Sequence, residues 1–453
     1  MKIKGLLSFI LIITLLASPV LSLSSCMQVL ELYVEESQNS SGGGSDVDNT
    51  GSGSGNQTNQ DNSGSGSPTN PDNNGGTDEN NGGTADVTTP DNSPSFYPDL
   101  GDAAEGLVGP VKALLSAVSV YSAFEVDYGY GYQTETTFSR GSGVIYKIDK
   151  TAGDAYIITN FHVVYNANGV GNGISKDISI YLYGQENKAY AIPATYVGGS
   201  FNNDIAVLKV TDNEIIRNSQ ALAATVADSD DIAVLDNVIA VGNPEGYGLS
   251  ATNGIVSVES ESLAMTGADG KTQINPRVIR ISAAINDGNS GGGLFNEDGN
   301  LIGVVNAKRN GTTIDNIAYA IPSNVATRLA ESIIYFCDGQ KNLTPMKAML
   351  QVVLVAKVYG VSVDTEAGTV TRVEIVEVDQ IADNSAVKGM LEVGDRVNYI
   401  MIDGVRKDVT RVHHVIDMML LARVGSVVKV GITRGDTTFD FEIIITESNL
   451  TSV

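Results

Sequence analysis

The sequence predicts a mainly β chain with two folded parts, and three observations predict it. From about Tyr97 to Val305, short β-like runs alternate with Gly, Asn and Asp turns and no helical pattern intervenes, which is the spacing of an all-β barrel or sandwich. After "KNLTPM" (341 to 346) the pattern restarts with new apolar runs and one amphipathic helical stretch, so a mixed α and β part follows. Between about Ser37 and Ser95 lies a Gly, Ser, Asn, Asp and Thr tract with almost nothing apolar. Such a tract buries too little surface to offset its ordering entropy, so it separates the folded parts from the N-terminus as a disordered linker.

Taken in order, the chain opens with "MKIKGLLSFILIITLLASPVLSLSSC", where Lys2 and Lys4 precede an apolar run from Leu6 to Leu16. This is a signal-peptide layout, and the run is shorter than the roughly 20 apolar residues that span a bilayer. It ends in Leu23-Ser24-Ser25-Cys26, which resembles a bacterial lipobox. That resemblance implies that Cys26 is lipidated and anchors the mature protein to the membrane outside the cytoplasm. An ordinary signal peptide and a secreted product is the alternative. The expected divisions are a signal peptide over 1–26, a linker over 27–97, a β-rich domain over 98–345 and a second domain over 346–453. A flexible linker of about 60 residues has an r.m.s. reach of roughly 45 Å, that of a stalk.

The net charge is -25. Phosphate backbones and anionic lipid both repel such a chain, so nucleic acid is excluded as a partner and membrane attachment has to be covalent or inserted. Apart from Cys26 the only cysteine is Cys337, so no disulfide framework exists. Within the β-rich part the strand candidates are "SGVIYKI", "AYIIT", "ISIYLY", "IAVLKV", "NVIAVG", "RVIRIS" and "LIGVV". A helix follows, with Ser323 as N-cap, Val325, Leu329, Ile333 and Cys337 at i+4 spacing, and Gly339 as terminator. In the second part "LQVVLVAKVYGVSV", "VTRVEIVEV", "RVNYIMID" and "VVKVGITR" read as strands and "VTRVHHVIDMMLLA" as the helix.

The residue that draws chemical attention is Ser290, set among glycines in "INDGNSGGGLF" (285 to 295). A serine hydroxyl becomes nucleophilic only when a base takes its proton, and the base needs an acid to hold its tautomer. The chain has three histidines, and only His162, at the end of an apolar strand in "AYIITNFHVVYN", lies in the β-rich part. The best-placed acid is Asp204 in "FNNDIAVLKV". Gly288-Asn289-Ser290-Gly291-Gly292 formally matches the G-x-S-x-G elbow, but that motif needs a helix after the serine and its histidine downstream. Here a turn and a strand follow, and the order is His, Asp, Ser, as on chymotrypsin-type double β-barrels.

With these residues in place, the chain resembles the HtrA/DegP family of trypsin-like serine proteases carrying a C-terminal PDZ domain. The blocks "GSGVIY", "IITNFHVV", "NNDIAVLKV", "VIAVGNPEG", "AAINDGNSGGGLFNEDGNLIGVV" and "AYAIPSN" stand in the family's order. The resemblance implies a chymotrypsin-like double β-barrel followed by a PDZ-like α+β domain. It implies a serine endopeptidase acting on misfolded or exported proteins, with His162 as general base, Asp204 orienting it and Ser290 as nucleophile. Backbone N–H groups of Gly288 and Ser290 are the implied oxyanion hole, the glycines permitting the tight turn that aims them. Ala284 and Ile285 are placed at the pocket for the residue before the scissile bond. Neither is acidic, so small or medium aliphatic side chains are expected there. The family usually has proline where this chain has Asp287 and Gly293, which makes this loop more flexible.

"DNSAVKGMLEVGDRVNYIMIDGVR" (383 to 406) resembles the PDZ stretch, which implies capture of an extended peptide by strand addition. His413 and His414 fall on the groove helix, as packing residues or as a peptide contact. No further ligand residue accompanies them, so no metal is expected, and the family chemistry needs no cofactor. The family often forms trimers, so a homo-oligomer is expected. A peptide-binding adaptor or chaperone with a vestigial site is the alternative function.

Overall fold

The computed structural model describes residues 107–127, 134–306, 317–339, 344–366 and 368–453. The signal-peptide run, Cys26 and the low-complexity tract lie outside the described residues. A short helix α1 (Gly109–Leu115) leads into the first barrel. Its strands are β1 (Ala117–Val126), β2 (Glu135–Asp149), β3 (Asp154–Thr159), β4 (Asp177–Leu182), β5 (Ile192–Ser200) and β6 (Ile205–Val210). They close in the order β1-β2-β3-β6-β5-β4, antiparallel throughout. The core alternates as a pleated strand requires, with Val118, Val120, Ile145, Ile157, Ile180, Ile192 and Leu208 pointing inward.

A short helix α2 (Glu214–Asn218), capped by the side chain of Asn213, precedes the second barrel. This barrel uses β7 (Asn237–Gly242) and β8 (Ser250–Ser262), then, after the small hairpin β9 (Met265–Thr266) and β10 (Gln273–Ile274), β11 (Arg277–Ile281), β12 (Gly293–Phe295), β13 (Leu301–Val305) and β14 (Ala318–Pro322). It closes as β11-β14-β13-β12-β7-β8 around Val238, Val256, Ile279, Ile281, Leu294 and Val305. The expected double barrel is therefore present, and every strand expected from the sequence in this part is found. The runs read from the sequence did not include β1, β5, β8, β12 or β14; in β1, "AVSVYSAFEV" mixes small and polar residues.

Helix α3 (Ser323–Cys337) buries Val325, Leu329 and Ile333 as expected, against Ile158, Ile205 and Val207 of the first barrel and Val304 and Ile321 of the second. Its start differs from expectation. Pro322 occupies the N-cap position and Ser323 is the first helical residue, its Oγ donating to Ala227 O at 2.8 Å. The N–H of Asn324, which has no partner within the helix, donates to Ser229 Oγ at 3.2 Å, so a neighbouring loop supplies the cap. Cys337 packs beside this core, and burial pushes its thiol up to about 11.

The C-terminal part is a sheet in the order β16-β17-β18-β20-β21, formed by β16 (Val352–Asp364), β17 (Thr369–Ile381), β18 (Arg396–Ile402), β20 (Val427–Arg434) and β21 (Thr437–Ile444), with β19 (Val405–Asp408) paired to β18. Helix α4 covers only Val412–Met419, shorter than the helical stretch read from the sequence, because Arg411 before it is extended. The strand β15 (Met346–Ala348) pairs with β22 (Leu450–Ser452), tying the chain end to the start of this part. Among the described residues no helix is long and apolar enough to cross a membrane.

Candidate active site

Strand β3 ends at Thr159 and the chain turns through a single 3-10 turn, Phe161–Val163, that carries His162 out of the barrel wall. Two bonds fix the turn to the segment before β6, from Asn160 Nδ2 to Asp204 O at 2.8 Å and from Phe161 N to Asp204 O at 3.2 Å. The Asp204 carboxylate is 5% exposed and engages His162 twice. One oxygen accepts the backbone N–H of His162 at 2.9 Å, the other lies 2.6 Å from Nδ1. A carboxylate at that distance accepts a hydrogen bond from Nδ1–H, which leaves Nε2 as the acceptor on the far side of the ring. Asp204 sits at φ +50°, an uncommon backbone for a non-glycine residue and a mark of a position held by its surroundings.

Burial opposes the charged imidazolium of His162, but the carboxylates of Asp204 and then Asp287 outweigh it, and its pKa is raised above the ordinary histidine value. The imidazole is 34% exposed, so it stays within reach of a ligand. Asp287 is exposed and faces solvent, yet lies near enough to act on His162.

Ser290 arrives from the second barrel, in the loop between β11 and β12, and is 5% exposed. Its carbonyl accepts the N–H of Ser142 in β2 at 2.8 Å, and the carbonyl of Ser142 accepts Thr159 Oγ1 at 2.7 Å. One seryl backbone thus links the Ser290 loop to the strand that delivers His162. Among the described residues no hydrogen bond joins Ser290 Oγ to the imidazole; the backbones are fixed and the hydroxyl is not. Catalytic bonds are often longer before substrate binds.

The loop has two obligatory glycines. Gly288 has φ +97°, and a Cβ there would lie 2.2 Å from Asn243 O. Gly291 has φ +85°, with Ser142 O at 2.2 Å from the same hypothetical atom. In this turn Asn289 N, Gly291 N and Gly292 N donate to Asn286 O, Val305 O and Asn289 O. The N–H groups of Gly288 and Ser290 donate to nothing among the described residues. Asp287 O accepts Glu245 N at 2.9 Å, and since a trans peptide sets N–H opposite C=O, the Gly288 N–H faces away from Glu245.

Ile285 is buried within the second barrel's core, but Ala284 is exposed, and its carbonyl accepts Thr252 Oγ1 at 2.9 Å. His413 and His414 lie on α4 and face the second barrel, not solvent: His413 Nε2 is 3.5 Å and His414 Nε2 3.8 Å from the carboxylate of Asp230. That carboxylate also meets Lys407 Nζ at 3.0 Å and Arg277 Nη1 at 3.4 Å. The three residues Asp230, His413 and His414 could offer ligand atoms to a metal, but two adjacent cations already hold the carboxylate charge. Sequence reasoning missed Ser142, Asn243, Glu245 and Asp230. The signal for the first three lay in "GSGVIY" and "GNPEG"; nothing in the sequence marked Asp230.

Two closed six-stranded antiparallel barrels, with a His–Asp pair on one and a glycine-framed serine from the other, are the arrangement of trypsin-like peptidase domains. Residues 141–304 match the family model described as "Trypsin-like peptidase domain". More particularly, the domain is HtrA-like. The chain is 38% identical over 202 residues to the Serine protease Do-like HtrA of Bacillus subtilis, covering 44% of this chain and 40% of that protein. It is 35% identical over 230 residues to the Periplasmic pH-dependent serine endoprotease DegQ of Escherichia coli, covering 50% of this chain and 44% of that protein. Among solved structures, an HtrA-type protease AlgW with tripeptide matches with a TM-score of 0.45 and 24% identity over 76% of this chain and 97% of that one. The matched region spans less than half the length of these curated relatives.

Proposed function

We propose that the protein is a serine endopeptidase that cleaves misfolded or exported proteins through an acyl-enzyme. The observation that carries this reading is the double engagement of His162 by Asp204, which leaves Nε2 free to act as the base proposed for Ser290. In the proposed first step Ser290 Oγ attacks the scissile carbonyl and His162 Nε2 takes its proton, while Asp204 holds the ring and stabilises the imidazolium. The carbonyl oxygen becomes an oxyanion facing the N–H groups of Gly288 and Ser290. One such donor is worth roughly 3 to 4 kcal/mol of barrier. His162 then returns the proton to the leaving amine, and water repeats the sequence on the acyl-Ser290 ester.

The residue before the scissile bond is proposed to be aliphatic, with Ile285 beside it and no carboxylate to hold Lys or Arg. The chain needs no cofactor. The C-terminal sheet with α4 is proposed to be PDZ-like and to take a peptide as an added strand. Its relatives named as periplasmic support a site of action outside the cytoplasm, and Cys26 is proposed as the lipid anchor there. A homo-oligomer, as the family resemblance implies, is proposed as the working form.

A fluorophosphonate probe tests the reaction. Wild type is expected to label and Ser290→Ala not to. A folded wild type that refuses the probe, even with an unfolded protein added, would favour a peptide-binding adaptor with a vestigial site. Mass spectrometry of the mature N-terminus tests the anchor, which an unmodified Cys26 excludes.

A further inference from the structure

Ser142 is fully buried in β2, on the first barrel, yet all its hydrogen-bonding groups are spent on the active-site loops. Its Oγ donates to Gly288 O at 2.7 Å and accepts Asn243 N at 2.8 Å. Its N–H donates to Ser290 O at 2.8 Å, and its carbonyl accepts Thr159 Oγ1 at 2.7 Å. A β-strand residue needs only its backbone groups for the sheet, so the side-chain bonds serve something else.

What they serve follows from Gly288. The two peptide planes that meet at its Cα are pinned separately. The plane carrying its N–H is held by Glu245 N on Asp287 O, and the plane carrying its C=O is held by Ser142 Oγ. A glycine at φ +97° has no side chain to resist rotation, and neither neighbouring position carries a proline to stiffen the loop. Loss of the Ser142 hydroxyl releases the second plane directly and loosens the hold on the first, because its other partner, Asn243 N, opens the turn that carries Glu245.

We infer that Ser142 is a positioning residue for the oxyanion loop, its hydroxyl bracing the Gly288 carbonyl and the Asn243 turn so that the Glu245 contact keeps the Gly288 N–H in its direction. This rests on the peptidase reading above. Replacing Ser142 by alanine orphans two buried groups at once, Gly288 O and Asn243 N, and the cheapest repair is a turn of the Gly288 peptide toward another partner. The carbonyl oxygen of a substrate would then meet one donor fewer in the transition state while ground-state binding is untouched.

The test uses the full-length protein, a peptide p-nitroanilide with valine before the scissile bond, and a fluorophosphonate to count reactive serines. Ser142→Ala is expected to lower kcat about 10-fold or more, short of the ~100- to 1,000-fold cost of deleting a donor outright, with KM changed less than about 2-fold and label incorporated slowly but to the same final stoichiometry. Ser142→Thr, which keeps the hydroxyl, is expected to recover most of the rate. A merely structural serine would instead lower the labelled fraction and leave kcat per labelled site unchanged. Should Ser142→Ala not fold, Ser142→Cys, close in size and a weak donor, takes its place with the same expected fall in kcat. Unchanged kcat in the folded variant overturns the inference, as does failure of both variants to fold. A wild type that neither labels nor cleaves overturns the peptidase reading itself, a result distinct from either.

Discussion

The carbonyl of Asp287 accepts the backbone N–H of Glu245 at 2.9 Å, and the N–H of Gly288 is thereby turned the other way. Glu245 holds φ +56° to make this contact, in a "GNPEG" turn whose Asn243 carbonyl closes on Gly288 from the same side. The glycine at 288 is therefore required twice, by its backbone angle and by the space. Gly288→Ala is expected to lose about 100-fold or more in kcat, the range for one misdirected oxyanion donor. Glu245→Gly keeps the bonding N–H, relieves the positive φ, and is expected to retain wild-type kcat with unchanged or slightly raised thermal stability. Steady-state rates and melting curves of the two variants check both halves.

Asp204 serves His162 with both carboxylate oxygens, and an amide can accept with only one. In Asp204→Asn either the backbone N–H loses its partner or the imidazole takes the tautomer with the proton on Nε2, the atom that has to accept from Ser290. The expected loss in kcat is roughly 10,000-fold, with KM little changed. If kcat falls less than about tenfold, His162 is not the base.

How much of this was legible in the sequence divides along physical lines. Strand positions in both barrels were readable because buried alternation repeats over short distances, as in Ile178 and Ile180 of the first or Val238 and Ala240 of the second. The pairing of His162 with Asp204 was readable because each stands beside a strand end in an unusual local context, and Ser290 drew notice by its glycine frame. Ser142 and Glu245 were not assigned roles, since their partners lie 146 and 42 positions away in the chain and one acts through its backbone alone. The start of α3 was misplaced by one residue because its cap comes from Ser229, which no local pattern reveals.

Asp287 raises the pKa of His162 by its charge, secondary to Asp204. The general base works neutral, so activity rises with pH through the His162 pKa, and any carboxylate that raises this value pushes the rise to higher pH. Asp287→Asn is therefore expected to move the acid limb of kcat/KM toward lower pH, so that the ratio of activity at pH 6 to that at pH 8 increases. Because Asp287 is exposed, the difference is expected to shrink as salt is added. An acid limb that stays in place at low ionic strength removes Asp287 from the electrostatics of the site.

His414 joins the C-terminal part to the second barrel, and its titration gives a stability prediction. Burial lowers its pKa to about 4 despite the nearby Asp230 carboxylate, with His413 and Lys407 adding to the fall. Nδ1 lies 3.1 Å from Asp408 O, and Arg277 holds the other side of Asp230. A depressed histidine contributes stability that is full above the ordinary value of about 6.5 and is lost as pH falls toward 4, because only the unfolded chain takes up the proton in that window. By pH 5 the loss reaches about 2 kcal/mol. Asp417, whose buried carboxyl is raised, works in the opposite direction, gaining stability as pH falls, so the comparison has to be made by difference. His414→Gln is expected to melt with a smaller decrease in Tm between pH 7 and pH 5 than wild type. Parallel pH dependence in the two proteins would mean that His414 does not stay neutral in the folded state, and the cluster around Asp230 would then owe its acid sensitivity to other groups.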